Sequence, residues 1–209
     1  NAVRVIFEDS AGNLWIGTHA GLDLFDRANG VFTHFGQNDA DPKSLNLNDV
    51  SAICEGEQGH LWIGTEEGGI NRFDPTGGDI LNFQHDPQDP KSLSHNRVRA
   101  IYRDHLGNIW IGTQNGLDFL SKESAFSTRG SLNFLHYRHD PFDPNSLGSS
   151  VVWSIYEDRS GVMWFGTYGG GLNKYNRSSE RFRLYQHRPN LPNSLSDNMI
   201  WSIAEDSSG

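Results

Sequence analysis

Three histidines, His85, His139 and His187, recur in the words QHDP, RHDP and QHRP, and four glutamates, Glu8, Glu55, Glu157 and Glu205, recur in segments ending I-x-E. Imidazoles and carboxylates are the usual material of metal sites and of acid–base pairs. Their spacing argues against both uses. Each type falls once per repeated unit, and equivalent points of neighbouring units lie too far apart to share one ion or one proton. The reading is therefore no metal, no cofactor and no catalytic residue. Better candidates are residues that differ between copies of a fixed framework. Arg4, Ser51, Arg99, Trp153 and Trp201 hold the second position of one recurring segment, and His19-Ala20, Glu66-Glu67, Gln114-Asn115 and Tyr168-Gly169 follow another. From these, the expected ligand contacts are Arg4, His19, Glu66, Arg99, Gln114, Trp153, Tyr168 and Trp201. The guanidinium groups of Arg4 and Arg99 suit a carboxylate or sulfate, and Trp153 and Trp201 suit the face of a sugar. For each residue the competing reading is solvated rim or packing between units.

The framework is a repeat. GNLWIGT at 12 returns as GHLWIGT at 59, GNIWIGT at 107 and GVMWFGT at 161, and the tryptophans stand 47, 48 and 54 residues apart. That period suits four-stranded propeller blades. A second marker, DPKSL at 41 and 89, DPNSL at 143 and LPNSL at 191, keeps the same offset. VRVIFED, VSAICEG, VRAIYRD and VWSIYED precede the tryptophan words as first strands, and IWSIAED follows the last of these units. In the second strand Leu14, Ile16 and Thr18 face one way and Trp15 and Gly17 the other, so both faces are apolar and both need cover. Without helices only neighbouring sheets supply it. The fold predicted is an all-β propeller of four complete four-stranded antiparallel blades, about 3–35, 50–83, 98–137 and 152–185, plus the first strand of a fifth starting at 198. Trp15, Trp62, Trp110 and Trp164 are expected to fill the gaps between blades, with Gly17, Gly64, Gly112 and Gly166 leaving room for close approach. An insertion, SKESAFSTRGSL from 121, accounts for the longest spacing and reads as loop variation. Alternation of connections places the loop between second and third strands at the same end as the connection into the next blade. The eight candidate residues therefore belong to one face.

Composition narrows the class. A formal charge of −9, from 17 basic and 26 acidic residues, lacks the clustered Lys and Arg of a nucleic-acid surface. No apolar run is long enough to cross a bilayer, so no membrane contact is expected of this segment. The single cysteine, Cys54, reads as core filler. The D-P-x-S-L connections have too few acidic residues for calcium loops, and no nucleophile elbow, phosphate loop or zinc signature is present. The spare opening of a fifth unit suggests part of a larger, seven-bladed ring, and the segment's stability by itself is expected to be poor or dependent on association.

The pattern V-x-x-I-x-E-D-x-x-G-x-L-W-I-G-T, then G-G-L-x-x-F-D, with D-P-x-S-L-x-x-N linking the units, resembles the two-component regulator propeller repeat. The departures are Gly56 for Asp, Arg103 for Glu and Leu191 for Asp. The resemblance implies the periplasmic sensor region of a membrane-anchored bacterial signalling protein, commonly with paired seven-bladed propellers and a histidine kinase or diguanylate cyclase output. It implies as partners an oligosaccharide or other small ligand, the remaining blades of the parent chain and a homodimer of the parent receptor. It supplies no catalytic residue. Three functions follow as alternatives: a non-enzymatic sensor for a glycan fragment, a propeller enzyme of lyase or glycosidase type, and a protein-interaction scaffold.

Overall fold

The computed structural model describes residues 2–37, 44–45, 49–126 and 132–207. The DPKSL word at 41 and residues 127–131 of the insertion lie mostly or wholly outside this range. The chain forms four antiparallel sheets, each of four strands in sequence order. Blade one holds β1 (Val3–Glu8), β2 (Leu14–Thr18), β3 (Gly21–Asp26) and β4 (Val31–Phe35); blade two holds β5 (Val50–Glu55), β6 (Leu61–Thr65), β7 (Ile70–Phe73) and β8 (Ile80–Phe83). Blade three holds β9 (Val98–Arg103), β10 (Ile109–Thr113), β11 (Gly116–Leu120) and β12 (Leu135–Tyr137), with one helical turn α1 (Lys122–Ala125) in its insertion; blade four holds β13 (Val152–Glu157), β14 (Met163–Thr167), β15 (Gly171–Asn176) and β16 (Arg181–Tyr185). The first strands of neighbouring blades lie against one another while the fourth strands diverge, which places β1, β5, β9 and β13 innermost.

Each hydrophobic core lies between two blades. Trp15 of blade one packs edge-on against Phe73 of blade two, and Trp110 of blade three meets Phe165 and Tyr175 of blade four. Trp62 is buried in the core that joins blades two and three. The paired glycines allow this approach. A Cβ on Gly17 would meet Val50 at 2.6 Å, one on Gly64 would meet Val98 at 2.5 Å, and one on Gly112 would meet the Val152 carbonyl at 2.8 Å. The insertion is more than loop variation, because Leu132 and Phe134 are buried in the same core as Trp62, with Ala125 packed against it.

The expected first strand of a fifth blade is a correction. Residues 198–206 form no strand, for a ladder needs a partner and none pairs with them among the described residues. Their position is nevertheless that of a first strand. A Cβ on Gly166 would meet Ile200 at 2.7 Å, as Gly17 meets Val50, and Ile200 donates to the Thr167 carbonyl at 3.2 Å.

Candidate functional site

Every first strand carries the same irregularity. The ladders slip between Val3 and Val5, Val50 and Ala52, Val98 and Ala100, and Val152 and Ser154. The extra residue is Arg4, Ser51, Arg99 or Trp153, and a bulge re-aims a side chain away from the alternating pattern. At the same end, the loops after the tryptophan words are stitched to the strand entrances. Glu66 donates its backbone N–H to Asp49 at 3.0 Å, Gln114 to Arg97 at 3.0 Å and Tyr168 to Val151 at 2.9 Å. The eight residues selected from the sequence therefore stand on one face.

Their side chains form a continuous network. Glu66 is its hub: Oε1 accepts from Arg4 and, at 2.8 Å, from Arg99, while Arg97 Nε lies 3.3 Å from Oε2. Asp49 Oδ1 lies 2.9 Å from His19 Nδ1 and 3.2 Å from Arg4 Nε. These contacts are close but poorly aligned for hydrogen bonding, which leaves that oxygen without a proper donor. Arg99 also donates to Gln114 at 3.2 Å and lies over the Trp153 ring at 4.6 Å. Trp153 in turn meets Trp201 at 4.6 Å and Tyr168 at 6.3 Å. Asp49 and Arg97 were not selected from the sequence. Each immediately precedes a first strand, so the same parity that placed Arg4 and Arg99 would have found them.

The geometry alters the chemistry expected of two groups. Arg4 and Arg99 already share an internal carboxylate, so they do not stand as an empty clamp for an anion. One face of Trp153 is covered by Arg99. What stays open is Trp201, 60% exposed, and Tyr168, 50% exposed. Beneath them Arg99 Nε and Trp153 Nε1 are buried donors with no protein acceptor. Burial pulls the Arg99 guanidinium below its ordinary value, against the opposing pull of Glu66.

The opposite face holds the recurring carboxylates, and there they join blades. Glu55 accepts from Ser10 N at 2.8 Å and Glu157 from His105 N at 2.8 Å; Glu205 accepts from Arg159 N at 3.1 Å. Between blades two and three the polarity is reversed, with Arg103 donating to Glu57. The departure at Arg103 is thus compensated by an acid in the facing turn. The three recurring histidines bond the carbonyls of Leu93, Leu147 and Leu195 at 2.7, 2.6 and 2.6 Å, closing the connections between blades. No group of three or more metal-ligating side chains occurs among the described residues.

The two component regulator propeller family matches residues 1–20, 44–67, 92–115 and 146–169. No curated protein matches the chain. Among solved structures, the extracellular domain of a B. thetaiotaomicron protein assigned as a hybrid two-component system is 24% identical, with a TM-score of 0.71 over 92% of this chain and 25% of its own. PorZ, a surface component of the type-IX secretion system of Porphyromonas gingivalis, is 19% identical, with a TM-score of 0.71 over 98% of this chain and 30% of its own. Virginiamycin B lyase from Staphylococcus aureus is 16% identical, with a TM-score of 0.62 over 90% of this chain and 57% of its own. The chain thus spans a quarter to about half of these proteins, and at these identities the likeness is one of fold.

Proposed function

From a chain whose four repeats belong to the two-component regulator propeller family, we propose an extracytoplasmic, non-enzymatic sensor segment that recognises a glycan fragment on the face of the inner-strand bulges. One observation carries this reading: the variable residues of four blades and of the segment after them meet in a single side-chain network, while the framework around them repeats. Rigid scaffolds commonly carry recognition in such variable positions. The network also indicates the ligand chemistry. Its three arginines, Arg4, Arg97 and Arg99, are matched by three carboxylates, Asp49, Glu66 and Glu67, which disfavours selection by charge. The exposed rings of Trp201 and Tyr168 offer an apolar platform with polar edges that can exchange hydrogen bonds with a ligand. A neutral sugar supplies both a C–H face and hydroxyl oxygens. Occupancy is signalled if the ligand binds two arrangements of the parent protein with different affinities. The extracellular setting of the B. thetaiotaomicron structure supports the location.

The test is calorimetry of the protein against a panel of neutral oligosaccharides. Trp201→Ala should weaken binding at least about tenfold, as expected for an anchoring aromatic residue worth roughly 1.4 kcal/mol or more. Absence of binding to every sugar would end the glycan reading. The 2.9 Å approach of His19 to Asp49 favours a second, enzymatic reading, in which a bound substrate brings the pair into hydrogen-bonding alignment for proton transfer. Turnover of a panel sugar, abolished in His19→Ala, would establish it.

A further inference from the structure

Blades three and four are entered by connections of one pattern, and each connection is pinned at the outer strand of the blade it enters. Phe134 donates its backbone N–H to the Lys91 carbonyl at 3.0 Å, and Phe182 donates to the Asn145 carbonyl at 2.8 Å. Lys91 and Asn145 hold the same place in the words DPKSL at 89 and DPNSL at 143. Two residues further along the outer strand the blades differ. His136 in β12 stands opposite Asp118 of β11, whereas Leu184 in β16 stands opposite Asn173 of β15.

His136 adds a second tie to the connection. Its Nδ1 lies 2.6 Å from Asp118 Oδ1, and its Nε2 lies 3.0 Å from the Pro90 carbonyl oxygen. Both partners are acceptors, and only the imidazolium carries a donor on each ring nitrogen. The other Asp118 oxygen accepts from Ser94 N at 2.8 Å, so one buried carboxylate holds both the ring and the connection. A neutral ring has a single N–H, which the carboxylate takes as the stronger acceptor. The Nε2 lone pair then faces the Pro90 carbonyl oxygen with no proton between them, and that contact turns repulsive.

We propose that His136 is a pH-dependent latch, which as imidazolium ties the connection between blades two and three to blade three and on losing its proton releases the Pro90–Lys91 segment. The charged groups around it are Asp118 on β11, Arg138 just past β12, and Asp89 and Lys91 on either side of Pro90. The Asp118 hydrogen bond acts most strongly and, with the Pro90 carbonyl, raises the ring above the ordinary histidine value, against the pull of burial and of Arg138. With the folded value raised, the tie is complete below about pH 6.5, the unfolded value, and is lost as pH rises through the folded one. The latch sits at the outer strand of blade three and does not depend on the sensor reading.

The test is amide hydrogen exchange followed by NMR from about pH 6 to about pH 9, a window that reaches from ordinary histidine titration upward. Phe182 is the internal reference, because the same main-chain contact stands in blade four without a histidine. The protection factor of the Phe134 amide should fall at least about tenfold relative to that of Phe182, as expected when a hydrogen bond to a charged group is lost. The fall should track the titration of the His136 ring proton, assigned through His136→Leu. That variant copies blade four and should remove the step. A constant ratio, a step that persists in His136→Leu, or a His136 titration at or below the ordinary histidine value would overturn the proposal. Should His136→Leu fail to fold, a step that persists in His136→Gln would overturn it equally.

Discussion

At the scale of single residues, a carboxylate beneath each capped tryptophan ties the stability of three blades to pH. Burial works to raise Asp9, Asp104 and Asp158, yet donors from the tryptophan, from neighbouring Asn or Ser side chains and from the backbone outweigh it. All three lie below the ordinary aspartate value, Asp158 at about 2. A depressed folded-state pKa contributes stability that is present above the unfolded value and lost as pH falls through the folded one. Thermal melts should therefore hold their midpoint down to about pH 4 and fall progressively toward pH 2, following the unfolded aspartate value near 3.9. A midpoint that stays level across that window would contradict the role given to these caps. Asp104 is the most consequential, being buried and shared by Trp110 and Arg177. Asp104→Ala should cost about 3 kcal/mol in denaturant unfolding, since it leaves an indole donor and a guanidinium without their acceptor. What the sequence displays here is the Asp-x-x-Gly turn; it does not display Arg177, which arrives from the next blade 73 positions away.

Among elements, the clasp between blades explains why the chain departs from its own pattern. Two interfaces place a first-strand glutamate under a turn residue of the preceding blade, Glu205 repeats the contact in the segment after blade four, and the second–third interface exchanges the charges through Glu57 and Arg103. Arg103→Glu should lower the melting temperature by setting two carboxylates face to face. Adding Glu57→Ser rebuilds the arrangement of Ser10 and Glu55 and should recover most of the loss, a non-additivity expected only of residues in contact. Additive losses would show that the two do not act as a pair. Blades and strand ends were legible in the sequence because the tryptophan word, the turn glycines and the S-L connections recur with one period. The common face of the candidate residues was legible because connections alternate between two ends of a sheet. The bulges were not, since a one-residue slip leaves no mark on composition, and it is the bulge that turns Arg99 onto Trp153. Nor was the pairing of Arg4 and Arg99 on Glu66, which depends on how far neighbouring blades rotate.

Across the whole molecule, stability is distributed unevenly because each blade depends on its neighbours for dry contact. Blades two and three are covered on both sides. Blade one leaves Val3, Ile6 and Phe32 exposed at 59%, 64% and 62%, and blade four carries a cleft of about 660 Å³ lined by Trp164, Tyr185 and Leu191. In an array coupled only through nearest neighbours, opening starts at the blades with one interface and reaches the middle last. Cys54 reports on that middle. It is buried in the core between blades two and three, and burial pushes its thiol up to about 12, so it should be inert to a thiol reagent until that core opens. Hydrogen exchange in mild denaturant should show strands of blades one and four exchanging first, with Cys54 labelling delayed to the last transition. If every strand and Cys54 instead respond together, the four blades form one cooperative unit. The interfaces would then have to be strong enough to outweigh the missing cover on the outer faces, and the nearest-neighbour description would give way to a single shared core.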